Sequence, residues 1–253
     1  MGFSRALLYM AAACIPFYAA NSCSNTALEG PYALYLSGTS TIAGSPKPFA
    51  SLSRIAFDAG GHINGYSSVN FDGLLLSNPV TGTYDVKPDC AATLSLQDDS
   101  GAWQHFSGKI ANGATMNVRQ TDPGAGGQGA LVRTTDACTA ASLRPSYVLS
   151  LSASASPLAS ADVPRALSVE GTVHVDGPAR FTLAQRINGR DISTEGAWSV
   201  ESDCTVHFEL ALPAGGGQPV SMKLRGAVVN QGLQIFAIHT EPSMVALARL
   251  TAN

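Results

Sequence analysis

The chain repeats itself. Gly82-Thr83-Tyr84-Asp85-Val86, followed by Asp89-Cys90, returns as Gly196-Ala197-Trp198-Ser199-Val200, followed by Asp203-Cys204, at an offset of 114 (Cys90 to Cys204). Pro31-Tyr32-Ala33-Leu34 returns as Ser146-Tyr147-Val148-Leu149, Asp58-Ala59-Gly60 as Asp176-Gly177-Pro178, and Asp72-Gly73 as Asn188-Gly189. Thr121-Asp122-Pro123 returns as Thr240-Glu241-Pro242, and Ala130-Leu131-Val132-Arg133 as Ala246-Leu247-Ala248-Arg249. The six matches keep one order while their offsets drift only between 114 and 119, as insertions confined to loops would make them. Two copies of one unit follow, over 23–138 and 139–253, behind a leader over 1–22.

The leader reads as a signal peptide. Arg5 supplies the positive start, Ala6–Ala20 the apolar stretch, and Ala20 and Ser22 the small residues that a processing site needs. Its 15 apolar residues fall short of the roughly 20 that span a bilayer. Export is therefore expected, to the periplasm or beyond. Cys14 leaves with the leader, and Cys23, Cys90, Cys138 and Cys204 remain. An even number of cysteines in an exported chain points to disulfides. Cys23 and Cys138 open the copies, and Cys90 and Cys204 close the Gly-x-aromatic-x-Val strand. If the copies fold alike, the pairs are Cys23–Cys90 and Cys138–Cys204; the other two connectivities would tie the copies together.

Charged residues are only 13% of the chain, too few for amphipathic surface helices. Period-two alternation instead marks strands at 32–36, 49–57, 62–69, 82–86, 92–96, 103–110, 115–120 and 130–134 of the first copy. Asp58-Ala59-Gly60-Gly61 and Asp72-Gly73 are hairpin turns, and Gly177-Pro178, Asn188-Gly189 and Gln231-Gly232 punctuate the second copy in the same way. Thr139–Leu143 links the copies, and Ala153–Asp162 reads as a loop. The fold class is all-β: two tandem antiparallel meanders, each a small disulfide-bonded barrel, with a sandwich as the alternative.

The pattern Gly-x-Tyr-x-Val-x-x-Asp-Cys, with an upstream tyrosine strand and an Asp-x-Gly-Gly hairpin, resembles secreted bacterial proteins of unknown function. Those are small barrels similar in shape to allene oxide cyclases and lipocalins. Tyr32, Asp58, Gly60, Gly61, Gly82, Tyr84, Val86, Asp89 and Cys90 carry the resemblance. It implies a fold and brings no catalytic motif with it.

The search for chemistry yields few candidates. His62, His105, His174, His207 and His239 show no metal-ligand spacing, although His207 shares a strand face with Glu209, and His239 with Glu241. No metal site or cofactor is expected. There is no Gly-x-Ser-x-Gly elbow, and the cysteines are spent in disulfides. Asp122 and Glu241 recur, so a carboxylate at a barrel mouth could act as acid or base; a Thr-acid-Pro segment also simply ends a strand. Arg133 and Arg249 recur too, and could hold an anionic ligand or guard a strand edge. The Gly-rich runs 124–129 and 215–217 open no helix and so cradle no phosphate. Trp103 and Trp198 are expected in the core. A net charge of -3 with no basic run argues against nucleic acid.

The leading expectation is an exported, non-enzymatic barrel protein binding a small apolar ligand. The alternatives are a structural or surface module binding protein or glycan, and a cyclase- or isomerase-like enzyme using Asp122 or Glu241.

Overall fold

A computed structural model describes residues 22–42, 44–111, 115–157, 159, 163–212 and 219–253. The expected leader therefore lies, but for residue 22, outside the described residues, as does the 215–217 glycine run. The first copy supplies β1 (Gly30–Ile42), β2 (Ser45–Phe57), β3 (His62–Phe71), β4 (Leu74–Val86), β5 (Ala91–Asp98), β6 (Trp103–Ala111), β7 (Thr115–Gln120) and β8 (Gln128–Arg133). The second supplies β9 (Ser146–Ala155), β10 (Ala166–Val175), β11 (Arg180–Ile187), β12 (Arg190–Val200), β13 (Thr205–Leu212), β14 (Val220–Val229), β15 (Gln234–His239) and β16 (Met244–Ala252). Each set of eight is an antiparallel meander closed on itself, β1 pairing with β8 and β9 with β16. Closure leaves neither barrel with a free edge. Strands β1, β2 and β4 run past the expected spans because their Ser-, Thr- and Pro-containing ends still pair, from Ser37↔Ala50 to Ile42↔Ser45. β9 likewise continues to Ala155, three residues into the expected loop.

Alternation fills the interiors. Tyr32, Leu34 and Leu36 of β1 point into the first barrel with Phe57, Tyr84, Leu94, Phe106 and Leu131. Tyr147, Leu149 and Leu151 of β9 do the same in the second, with Phe181, Trp198, Phe208 and Leu250. Paired Asp72-Gly73 and Asn188-Gly189 turns have positive φ at all four residues (49°, 93°, 51° and 78°), the two-residue hairpin geometry that Asp, Asn and Gly tolerate.

One end of each barrel is sealed by its disulfide. Cys23 bonds Cys90 and Cys138 bonds Cys204, closing separations of 67 and 66 residues, so the within-copy pairing is the one formed. Loops of that length stabilise by up to ~4 kcal/mol in the chain-entropy model. Residues 25–28 form a 3-10 turn under this end of the first barrel, with Leu28 fully buried. The Asn25 side chain accepts from the Val86 amide (2.9 Å), and its carbonyl accepts from the Tyr84 hydroxyl (3.0 Å). The second barrel matches: the Cys138 amide bonds Ser202 O as the Cys23 amide bonds Pro88 O.

The barrels share a third apolar core. Ala33, Tyr35, Ala50, Leu52 and Val132 of the first pack on Ala227, Val229, Phe236, Ile238 and Val245 of the second. Tyr35 stacks on Phe236 with ring centres 4.6 Å apart. Buried Asn70 stitches the seam, its amide donating to His239 O and Met244 O (both 2.9 Å) while its carbonyl accepts from Gly73 N. Gly73 is needed there twice over, since a Cβ would land 2.4 Å from the Ser156 Cβ. A single bridge, Thr134↔Val229, joins the two sheets.

Candidate functional site

The end of the first barrel opposite its disulfide is open. A cavity of about 470 Å³ enters there. Its apolar lining is buried Val80 and Leu96, half-buried Val69 and Phe71, and exposed Leu76, and its polar lining includes Ser67, Asn78, Asp98 and Gln104. Inward-facing positions of β3, β4, β5 and β6 thus carry both kinds of residue. Toward the disulfide end the barrel interior holds the aromatic cluster of Tyr32, Phe57 and Tyr84.

Trp103 stands on the rim with half its surface exposed (50%) and its indole stacked near His105, 6.3 Å between ring centres. It is not a core residue as expected. In β6 Phe106 and Ile110 face inward, so 103 and 105 take the opposite phase; Trp103, the first residue of the strand, still lines the mouth at its rim. Trp198 is buried as expected and donates its indole N–H to Arg180 O at 2.9 Å.

Asp98 is the one charged side chain among the described residues that line the cavity. The Ser100 hydroxyl (2.5 Å) and the Ala102 and Ser100 amides donate to it and hold its carboxyl below the usual carboxylate value. It stays anionic near neutrality, and among the described residues no lysine or arginine lines the cavity to balance it.

Asp122 lies at the same mouth, in the turn after β7, and its oxygens are engaged. It accepts from the His105 amide (2.8 Å), pairs with His105 Nδ1 (2.6 Å), and accepts from Gln120 Nε2 (3.2 Å). Burial alone would raise its carboxyl, but these bonds outweigh burial and hold it low. Glu241 is its counterpart: Thr121 N bonds His105 O as Thr240 N bonds Lys223 O, and Glu241 lies 3.4 Å from Lys223. The acid recurs as half of a pair that fastens a strand end to its neighbour, and neither Asp122 nor Glu241 lines the cavity.

The two arginines are not counterparts. Tyr32 of β1 pairs with Arg133, whereas its equivalent Tyr147 pairs with Ala252. The true offset in the last strand is 119, three residues from the sequence match, and an odd shift turns a strand residue to the other face. Arg133 braces the sealed end, donating to Glu29 O at 2.5 Å and lying 4.9 Å over the Tyr32 ring. Arg249 is on the outer wall over Phe236. Neither lines the mouth.

Two more histidines pair with surface acids, His62 with Asp58 (2.9 Å) and His207 with Glu201 (3.0 Å) and not with the Glu209 on its own face. His239 is fully buried, bonded through Nδ1 to Met244 O. No group of three metal-binding side chains exists among the described residues. No helix among them is long and apolar enough to cross a membrane.

No family model matches the chain, and no curated protein does. Among solved structures, a Myxococcus xanthus hemagglutinin, in complex with a3,a6-mannopentaose, matches 87% of this chain and 99% of its own at 16% identity. The TM-score is 0.15. A likeness that poor carries no argument about fold or ligand. The expected similarity to cyclase barrels is not shown by any of these comparisons.

Proposed function

We propose that this protein is an exported, non-catalytic binding module that holds a neutral sugar in the mouth of its first barrel. In this reading 1–22 is a leader lost on export, and 23–138 and 139–253 are the two units. The carrying observation is the mouth itself: an exposed indole at the rim, an apolar lining, and two amides with a carboxylate beside it. A sugar ring has an apolar C–H face for such a lining and hydroxyls for such polar groups. Asp98, with no cation beside it among the described residues of the lining, disfavours an anionic ligand. Asp122 and Glu241 are occupied by hydrogen bonds or ion pairs, which supports binding over turnover.

The two tryptophans make the test direct, because Trp103 is half exposed and Trp198 is buried. Neutral mono- and oligosaccharides should shield Trp103 from iodide quenching in a saturable way. Trp103→Ala should weaken binding about tenfold or more, equivalent to ~1.4 kcal/mol. The apolar lining favours a second reading, a small apolar ligand. Saturable shielding by an aliphatic alcohol, with none by any saccharide, would replace the first reading with the second.

A further inference from the structure

Each barrel sends one arginine across the seam to the other. Arg54 of β2 reaches Asp203, to which it is ion-paired, and Thr205 Oγ1 at 3.2 Å. Arg225 of β14 reaches back, its Nη1 3.3 Å from the Ser68 hydroxyl and its guanidinium carbon 5.9 Å from the Tyr66 ring centre. These six side chains line one cavity of about 290 Å³ between the barrels.

The charges there do not balance. Two guanidiniums face one carboxylate, and Arg225 has no ion-pair partner among the described residues. Arg54 also lines an adjoining hollow with Thr134, and the Arg54 Nε and Thr134 Oγ1 are both buried without a hydrogen-bond partner. An unpaired guanidinium lining a cavity is a natural partner for an acid from outside the chain. Clefts between units are also where ligand sites commonly form.

We propose that this seam binds a small molecule carrying a carboxylate, taken by the Arg225 guanidinium, which lines the cavity beside Arg54 and has no ion-pair partner among the described residues. Guanidinium forks match carboxylates in shape and charge. The volume holds about ten water-sized groups at ~30 Å³ each, room for a sugar acid but not for a polymer. Tyr66, with 41% of its surface exposed, supplies a ring face, and Ser68 and Thr205 supply hydroxyls. The site is independent of the barrel mouth, whose only lining charge among the described residues has the opposite sign.

The probes are D-galacturonate, its neutral partner D-galactose, and inorganic sulfate. Calorimetry measures binding, and the arginine Nε–H signals in NMR place it. Galacturonate should bind saturably, shift the Arg54 and Arg225 signals, and weaken as salt rises. Arg225→Gln should weaken it tenfold or more, with the Trp103 response to neutral sugars unchanged. Should Arg225→Gln fail to fold, the shifts in the unaltered protein decide alone. Galactose binding the seam as well as galacturonate, unmoved arginine signals, or full affinity in Arg225→Gln would each overturn the proposal. Sulfate binding more tightly than galacturonate would overturn the carboxylate assignment.

Discussion

The two barrels share a backbone and differ at the mouth. In the first, Gln104 pairs with Leu96 where in the second Met222 pairs with Leu210, so Gln104 and Asp98 correspond to Met222 and Leu212. Met222 and Leu212 are fully buried, and Met244 joins them. One copy keeps polar groups around an opening, and the other has an apolar plug there. Closure of the sheet therefore does not require an open mouth or a filled one. The choice rests on a few inward positions near one end, which is how a duplicated fold can carry a site in one copy only.

Exchanging those residues tests the contrast most severely. Met222→Gln places an amide among apolar neighbours and should destabilise the second barrel by about 2–3 kcal/mol, read in urea unfolding from the buried Trp198. Gln104→Met should change stability by less than ~1 kcal/mol while weakening sugar binding. Equal losses from the two exchanges would show that the mouths do not differ as described.

Acid should also separate the barrels. Burial lowers the His239 pKa below its ordinary 6.5, against the raising effects of Met244 O and Glu241. The unfolded chain then binds the proton more readily, so this stabilisation is present above about pH 6.5 and is lost as pH falls below it. Gln120 holds the equivalent place in the first barrel and does not titrate, while Asp122, held low, gives up its contribution only below its ordinary 3.8. Trp198-detected melting should fall from pH 7 to pH 5, and His239→Gln should flatten that fall. An unchanged pH profile in the variant would remove His239 as the cause.

The smallest expected difference is between the arginines. Arg133→Ala should cost ~1–2 kcal/mol, through a charged hydrogen bond and a ring contact at the sealed end. Exposed Arg249→Ala should stay within ~0.5 kcal/mol. Thermal melts of the two variants check the order.

Much of the fold was legible because duplication supplies its own control. Strand periodicity, the Asp72-Gly73 and Asn188-Gly189 turns, and the disulfide pairs each appear twice. What misled was local similarity without phase: Ala130–Arg133 looks like Ala246–Arg249, yet pairing places them three residues out of step. Residue type suggests a core for Trp103, while its odd position beside inward Phe106 places it at the exposed rim. The seam had a faint signal. Tyr32–Leu36 and Ile235–His239 are buried at every position, as strands covered on both faces are, and both read as near-continuous apolar runs. Arg54 and Arg225 gave no sign, since nothing in the sequence brings residues of β2 and β14 together.

The apolar seam between the barrels joins unlike surfaces. The first barrel offers β1, β2 and β8, and the second offers β14, β15 and β16, the counterparts of β6, β7 and β8. Such a head-to-tail contact has no geometric stop and, repeated, grows into a ring or a fibre. Here the unused surfaces do not continue it. Where the second barrel presents Ala227, Phe236 and Ile238, the first has exposed Lys109, Asn117 and Arg119. Where the first presents Tyr35, Ala50 and Leu52, the second has exposed Ser150, Ser168 and Glu170. Each of these two units thus turns a polar face where a further copy would dock, in the manner of a capping repeat.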